Sequence, residues 1–345
     1  MSEINGAAAG RVSKPRAPAL QRLSGYRQFG LIVGLVLLML LAALFTPSMY
    51  KPDSLVSMLR NNSVYAILAA GMMFVLITGG IDLSVASTLS MTGVTTSLLM
   101  SRFGGVPAIV WVLTALAVGS LCGLVNGFLI GKLGMIPMIA TLGTMYIYRG
   151  LAFLISDGTW LFPHEFTKAY TNYAQGKLLG ISNITWIAAL IFVLSGLFLF
   201  LTKPGRRIYA VGTNAQSSVI AGIGVGNVRM LAYILCGAFA GLAGMLYTAN
   251  HAICYYGMAE GFEMQAIAIC ILGGISIAGG RGRVDGVVIG TLMMSVITYF
   301  ISLLPGLSVW QDAIQGAIII IAVAINILTG RLAVRRALKD RGSLI

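Results

Sequence analysis

Apolar runs too long for a soluble core constrain this chain most. Phe29 to Thr46 reads FGLIVGLVLLMLLAALFT without a charge, and Ile314 to Leu328 is also free of charged residues. Runs of about 17 to 25 residues match the length of helix needed to cross the hydrocarbon of a bilayer. A membrane barrel would instead show strands of about ten residues with alternating polarity, which these runs lack. With 58% hydrophobic and only 10% charged residues, the chain has too little polar surface to cover a soluble globule of 345 residues. The expected fold class is therefore all-α, a polytopic transmembrane helical bundle.

Segments of suitable length lie near 29–46, 63–79, 83–101, 107–130, 135–155, 184–202, 229–249, 264–279, 285–304 and 311–329, which makes about ten spans. Gly79-Gly80 and Gly273-Gly274 interrupt this series and mark the second, third and eighth segments as broken or re-entrant. The spans form one membrane domain over 29–330, between a basic N-terminal tail at 1–28 and a basic C-terminal tail at 331–345. The 43 glycines suit helices that pack closely in lipid.

Basic residues fix the orientation, because cytoplasmic loops carry an excess of Lys and Arg. An inside N-terminus places Arg11, Lys14, Arg16, Lys132, Lys203, Arg206, Arg207, Arg229, Arg281, Arg283, Arg331 and Arg335 in the cytoplasm. Lys51, Arg60, Arg102, Lys168 and Lys177 fall outside, so an even number of spans with both termini cytoplasmic is expected. This arrangement also accounts for the net charge of +13 without nucleic acid as a partner, since the charges sit between apolar runs and form no basic folded face. Cys122, Cys236, Cys254 and Cys270 are scattered through or beside apolar segments and read as small buried side chains.

Two loops exceed simple connections. The external one, Ser156 to Asn183, mixes Trp160, Phe162, His164, Glu165, Tyr170 and Tyr173, a composition suited either to an interface or to lipid headgroups. The internal one, Lys203 to Asn227, holds a short helix from Asn214 to Ala221 with Asn214 as N-cap and Gly222 as its stop.

No G-x-x-x-x-G-K-[ST] phosphate loop occurs; Gly127 to Lys132 (GFLIGK) has the wrong glycine spacing, and Leu133 stands where the hydroxyl residue is needed. His164 and His251 are isolated, with neither metal-ligand spacing nor a nucleophile beside them. The chain is expected not to be an enzyme. An ion-coupled carrier would keep a carboxylate in the membrane, where charge persists only for function; Asp82 and Glu263 are the candidates, and both also read as helix-end residues. Neutral Thr78, Ser84, Ser87, Asn126, Thr141 and Thr144 could pass a hydroxylated solute or simply join helices. The expected pathway or gate residues are Asp82, Ser84, Asn126, Thr141, Thr144 and Glu263, with the Asp82 carboxylate holding the Gly79-Gly80 break through backbone amides.

Gly79 to Ser87 (GGIDLSVAS), Asn126-Gly127, Ile136 to Met145 (IPMIATLGTM), Arg149 to Ala152, Val211 to Ile223 (VGTNAQSSVIAGI) and Glu263 to Gly290 occur in an order and spacing that resemble the ribose-type permeases of bacterial ABC sugar importers. The likeness runs from about residue 30 to 330, with departures at Ala86, Met138 and Gln265. The resemblance implies a multi-pass inner-membrane subunit that pairs with a second permease subunit, as homodimer or heterodimer, and receives sugar from a periplasmic binding protein. It also implies a cytoplasmic ATP-binding subunit that hydrolyses ATP, leaving this chain with no cofactor of its own. The segment docking on that ATPase would include Asn214, Ser217, Ser218, Ala221 and Gly222, with small outward-facing residues seated in a cleft. A permease for branched-chain amino acids shares the broad pattern and stays open as an alternative, as does the ion-coupled carrier.

Overall fold

Residues 29–304 and single positions between 306 and 324 are described by the structure, a computed structural model. Both expected tails and most of the expected span at 311–329 lie outside the described residues. Helices dominate: α1 is Phe29–Phe45, α2 Pro52–Ile77, α3 Val85–Arg102, α4 Ala108–Gly131 and α5 Pro137–Ser156. After α6 (Lys168–Gln175) and a two-stranded hairpin (Lys177–Leu178 with Ile181–Ser182) come α7 (Asn183–Leu201), α8 (Lys203–Thr213) and α9 (Ala215–Ile220). Then come α10 (Val225–His251), α11 (Phe262–Leu272) and α12 (Val284–Leu303), and the described positions between 311 and 324 are helical again. Among the described residues, six helices are long and apolar enough to cross a membrane, and α1 and α11 are shorter apolar helices.

Helix starts follow local chemistry. Pro52 and Pro137 open α2 and α5, where a missing N–H costs nothing and the fixed φ already suits a helix. Because of Pro52, with Asp53 behind it in the first turn, α2 begins well before the expected residue 63. The helix expected at 264–279 ends at Leu272 instead, and residues 273–283 form a non-helical loop.

That ending has a twin. At the end of α2, Gly79 N–H bonds Leu76 O at 2.9 Å and Gly80 N–H bonds Val75 O at 3.1 Å; at the end of α11, Gly274 N–H bonds Ile271 O and Ile275 N–H bonds Cys270 O, both at 2.9 Å. Each is a two-bond C-terminal closure that needs a left-handed residue just past the helix, supplied by Gly79 (φ 80°) and Gly274 (φ 79°). The two breaks are thus built alike. The Asp82 carboxylate is not among these bonds; the backbone amide it accepts from is that of Ser84, at 2.9 Å.

In the core α2 and α3 each pack on α10, with α4 laid along α10. α3 is almost wholly buried although it is rich in Ser and Thr, and several of those hydroxyls return to their own helix: Thr95 Oγ1 to Met91 O at 2.8 Å and Thr96 Oγ1 to Thr92 O at 2.9 Å. Such back-bonding satisfies polar groups where water cannot. α5 is inverted relative to a soluble helix, with Thr141, Thr144, Tyr148 and Ser156 facing inward and Ile139, Leu142, Tyr146, Ile147 and Leu154 outward. All four cysteines are free and buried; the Cys270 thiol donates to Ala69 O at 3.2 Å.

Two ends of the bundle differ in character. One gathers the α4 end, α8, α9, the start of α10 and the 273–283 loop, tied by Lys132 to Asn227 and by Tyr209 OH to Gly282 O at 2.9 Å. It carries Lys132, Lys203, Arg206, Arg207, Arg229, Arg281 and Arg283. The opposite end is aromatic and carries Asp157, Glu165, Glu260 and Glu263 together with Arg102, Lys168 and Lys177. There the loop expected to lie at a surface is partly inserted: Tyr170 of α6 is fully buried, its hydroxyl 2.8 Å from Thr248 Oγ1 and 3.0 Å from Thr96 Oγ1, its ring edge-on to Trp111. Trp160 remains exposed and stacks on Tyr255, ring centroids 4.5 Å apart.

Candidate functional site

Asp82 sits in the stretch between α2 and α3, only 2% exposed. Its Oδ1 accepts from the Ser84 N–H at 2.9 Å and from the Ser84 hydroxyl at 2.7 Å. Asn126, in α4, donates through Nδ2 to Ser84 Oγ at 2.7 Å, with Asp82 Oδ1 at 3.5 Å. On the other side of the amide, Asn126 Oδ1 accepts from Thr144 Oγ1 of α5 at 2.7 Å. Cys236 of α10 is buried within electrostatic range of the Asp82 carboxyl. The 78–84 stretch, α4 and α5 are thus joined in one chain of hydrogen bonds, and the carboxyl itself accepts from the Ser84 hydroxyl, the Ser84 backbone N–H and the Asn126 side-chain amide.

Of the expected pathway residues, the structure brings together Asp82, Ser84, Asn126 and Thr144. Thr141 is buried one turn away, its hydroxyl spent on Pro137 O at 2.8 Å. Glu263 is not part of the cluster: it starts α11 at the aromatic end, within electrostatic range of Arg149. Arg149 itself donates to Tyr256 O at 3.0 Å and Met258 O at 2.7 Å, pinning α5 to the loop before α11. Sequence reasoning missed Tyr148, which donates to Cys122 O at 2.9 Å, and Tyr233, which donates to Ile81 O at 3.0 Å. Both are aromatic residues inside apolar helices, where only a solved neighbourhood reveals the hydroxyl's partner.

The cluster latches the break against α4 and α5, because a buried polar group left unpaired costs about 1 to 3 kcal/mol. Asn126→Leu strips Ser84 of its donor and Thr144 of its acceptor. The thermal midpoint of the purified protein in detergent should fall by the equivalent of roughly 1 to 3 kcal/mol. An unchanged midpoint would show that the latch holds nothing.

The second candidate region is the α8–α9 elbow at the basic end. Thr202 caps α8, its Oγ1 accepting from Gly205 N–H at 3.0 Å, and Asn214 caps α9, its Oδ1 accepting from Ser217 N–H at 2.9 Å. The sequence placed α9 well but missed α8, whose Lys-Pro-Gly-Arg-Arg opening reads as loop. Ser217, Ala221 and Gly222 are exposed as expected. Ser218 is not: it is buried, its hydroxyl returned to Asn214 O at 2.9 Å, so it faces the bundle. What projects instead is Val219 and, 87% exposed, Ile220. Two bare aliphatic side chains thus stand at the tip of a polar elbow.

Comparison with known proteins adds to this geometry. The family described as the branched-chain amino acid transport system / permease component matches residues 54–323, more than half of the chain. The chain belongs to this permease family. Among its relatives, the permease is 33% identical over 300 residues to the ribose import permease protein of Bacillus subtilis, covering 87% of this chain and 92% of that protein. It is 31% identical to an L-arabinose ABC transporter permease protein of Azospirillum brasilense, over 85% of this chain and 86% of that one. It is 32% identical to the galactose/methyl galactoside import permease protein of Haemophilus influenzae, over 85% and 92% respectively. No solved structure matches.

Proposed function

We propose that this permease is the membrane-spanning subunit of an ABC importer that carries a sugar, a pentose, a hexose or a sugar-like molecule, across the bacterial inner membrane. The observation that carries the reading is the capped α8–α9 elbow projecting Val219 and Ile220 from the basic end, the end that the positive-inside rule assigns to the cytoplasm. A cytoplasmic ATP-binding subunit grips that elbow and hydrolyses the ATP; this chain contributes no nucleotide site and no cofactor. A periplasmic binding protein delivers the sugar at the aromatic end, a second permease subunit completes the pathway, and about ten spans leave both termini inside. The ribose, arabinose and galactose permeases among its relatives favour a sugar over a branched-chain amino acid.

In liposomes the permease alone should import no sugar, with or without a proton or sodium gradient. Adding the ATPase subunit, the binding protein and ATP should start import of one labelled sugar from a panel. Gradient-driven uptake by the chain alone would establish an ion-coupled carrier, and ATP-driven uptake of leucine, isoleucine or valine would move the protein to the amino-acid branch.

A further inference from the structure

Three backbones meet at the basic end with no side chain between them. The carbonyl of Ile77, on the last residue of α2, is one that a helix terminus leaves without an intrahelical partner. It is taken by the N–H of Gly280 at 2.8 Å, from the loop after α11. Gly212, near the end of α8, lies in the same contact: a Cβ built there would stand 2.6 Å from Gly280 N and 2.9 Å from the Ile77 carbonyl carbon. Gly279 closes the third side, where a Cβ would meet Gly79 N at 2.9 Å and Gly212 O at 3.0 Å. The loop is itself stiff, with Ser276 N–H bonded to Arg281 O at 2.9 Å and Gly279 N–H to Ser276 O at 3.0 Å. Tyr209, one turn before Gly212, fastens it again by donating to Gly282 O at 2.9 Å.

This contact has a proposed moving part on each side. Beyond Gly212 the chain runs through Thr213 directly into the Asn214 cap of α9; beyond Ile77 it runs through the Gly79 break to Asp82 and its latch on Asn126. We infer that the backbone contact of Gly212 with Ile77 and Gly280, tied by Tyr209, is the joint through which displacement of α9 moves the break that carries Asp82. Close-packed backbone resists compression and transmits a shift to its neighbour, whereas a side-chain contact would absorb part of it by changing rotamer. Gly212, Gly280 and Tyr209 are thus positioning residues. They act on the pathway through Ile77 and touch neither sugar nor nucleotide. The inference rests on the reading of α9 as the ATPase contact.

The test uses the permease reconstituted with its ATPase subunit and binding protein, and reads two quantities: ATPase subunit retained on the permease, and sugar imported per ATP hydrolysed. Gly212→Ala and Tyr209→Phe leave the α9 tip untouched and should retain the ATPase subunit. Sugar per ATP should fall roughly two- to thirtyfold in Gly212→Ala, the range seen for substitutions that alter coupling without touching either site, and several-fold in Tyr209→Phe. A simple loss of stability would lower the yield of complex and leave the ratio intact. Wild-type stoichiometry in both variants would overturn the joint; if Gly212→Ala does not fold, wild-type stoichiometry in Tyr209→Phe alone overturns it. Failure of the α9 reading looks different, because Ala221→Trp would then keep its ATPase subunit and its uptake.

Discussion

Valine in place of Gly123 should give a chain that does not reach the folded state, seen as loss of the monodisperse species when the detergent-solubilised protein is sized. Gly119, Gly123 and Gly127 of α4 recur every fourth residue, so they line one face of the helix. That face lies directly on α10. A Cβ at Gly123 would stand 2.9 Å from Ile234 Cα, one at Gly119 2.8 Å from Gly241 Cα, and one at Gly127 2.8 Å from Met230 Cα. Those atoms are backbone and cannot turn aside, so the two helices would have to separate along their length. Overpacking ordinarily costs about 1 to 3 kcal/mol where side chains can adjust, and the cost here sits at or above the top of that range. Because the helices part at Gly119 and Gly127 as well as at Gly123, the loss is several times that of a single site, which is comparable with the whole stability of about 5 to 15 kcal/mol. Gly196→Val in α7 is the control. Nothing lies within 4 Å of its would-be Cβ, and its thermal midpoint should match the wild type. Equal midpoints for both variants would disprove the close-contact account of the seam.

The second large effect belongs to the elbow. Ile220→Asp and Ala221→Trp should each insert and melt like the wild type, yet lose the ATPase subunit on purification and lose sugar uptake in cells. Ile220 makes almost no contact within the chain, so a carboxylate there disturbs no internal packing. At a partner's surface the same change buries a charge where an aliphatic anchor stood, and anchors of this kind contribute about 2 kcal/mol or more, a factor of roughly thirty in affinity. Tryptophan at Ala221 acts by bulk in place of charge, so agreement between the two separates docking from a local electrostatic effect. Full ATPase association and full uptake in both would reduce α9 to a connector and turn the search toward Arg281 to Asp285.

Much of this architecture is legible in the sequence because lipid leaves few alternatives: a charge-free run such as Phe29 to Phe45 is a helix whatever surrounds it. The Gly-Gly breaks are legible for the same reason, yet their correspondence is not. Gly79-Gly80-Ile81 and Gly273-Gly274-Ile275 align Gly79 with Gly273 in sequence, whereas the folded breaks pair Gly79 with Gly274, because the helix cap falls on Thr78 in one and on Gly273 in the other. α8 escaped detection because its single buried stripe of Ile208 and Val211 is hidden among Lys, Arg, Pro and Gly. In the polar cluster, Asp82, Ser84, Asn126 and Thr144 stand out as polar groups in apolar surroundings. Cys236 does not, since a buried thiol reads as a small hydrophobe until a carboxyl is found beside it. Ser218 was misjudged because polarity alone does not say which face of a six-residue helix looks outward.

The burial of all four cysteines makes the native chain its own blank in chemical labelling. Three are held inside helices, and burial pushes the Cys254 thiol, in the loop before α11, up to about 12, which leaves almost no thiolate at neutral pH. A membrane-impermeant maleimide applied to intact cells or to inverted vesicles therefore reports only a thiol added on purpose. Cysteine at Ile220 should be modified in inverted vesicles alone, and cysteine at Trp160 in intact cells alone. The sidedness of the elbow and of the aromatic end can thus be read without first removing a residue from the core.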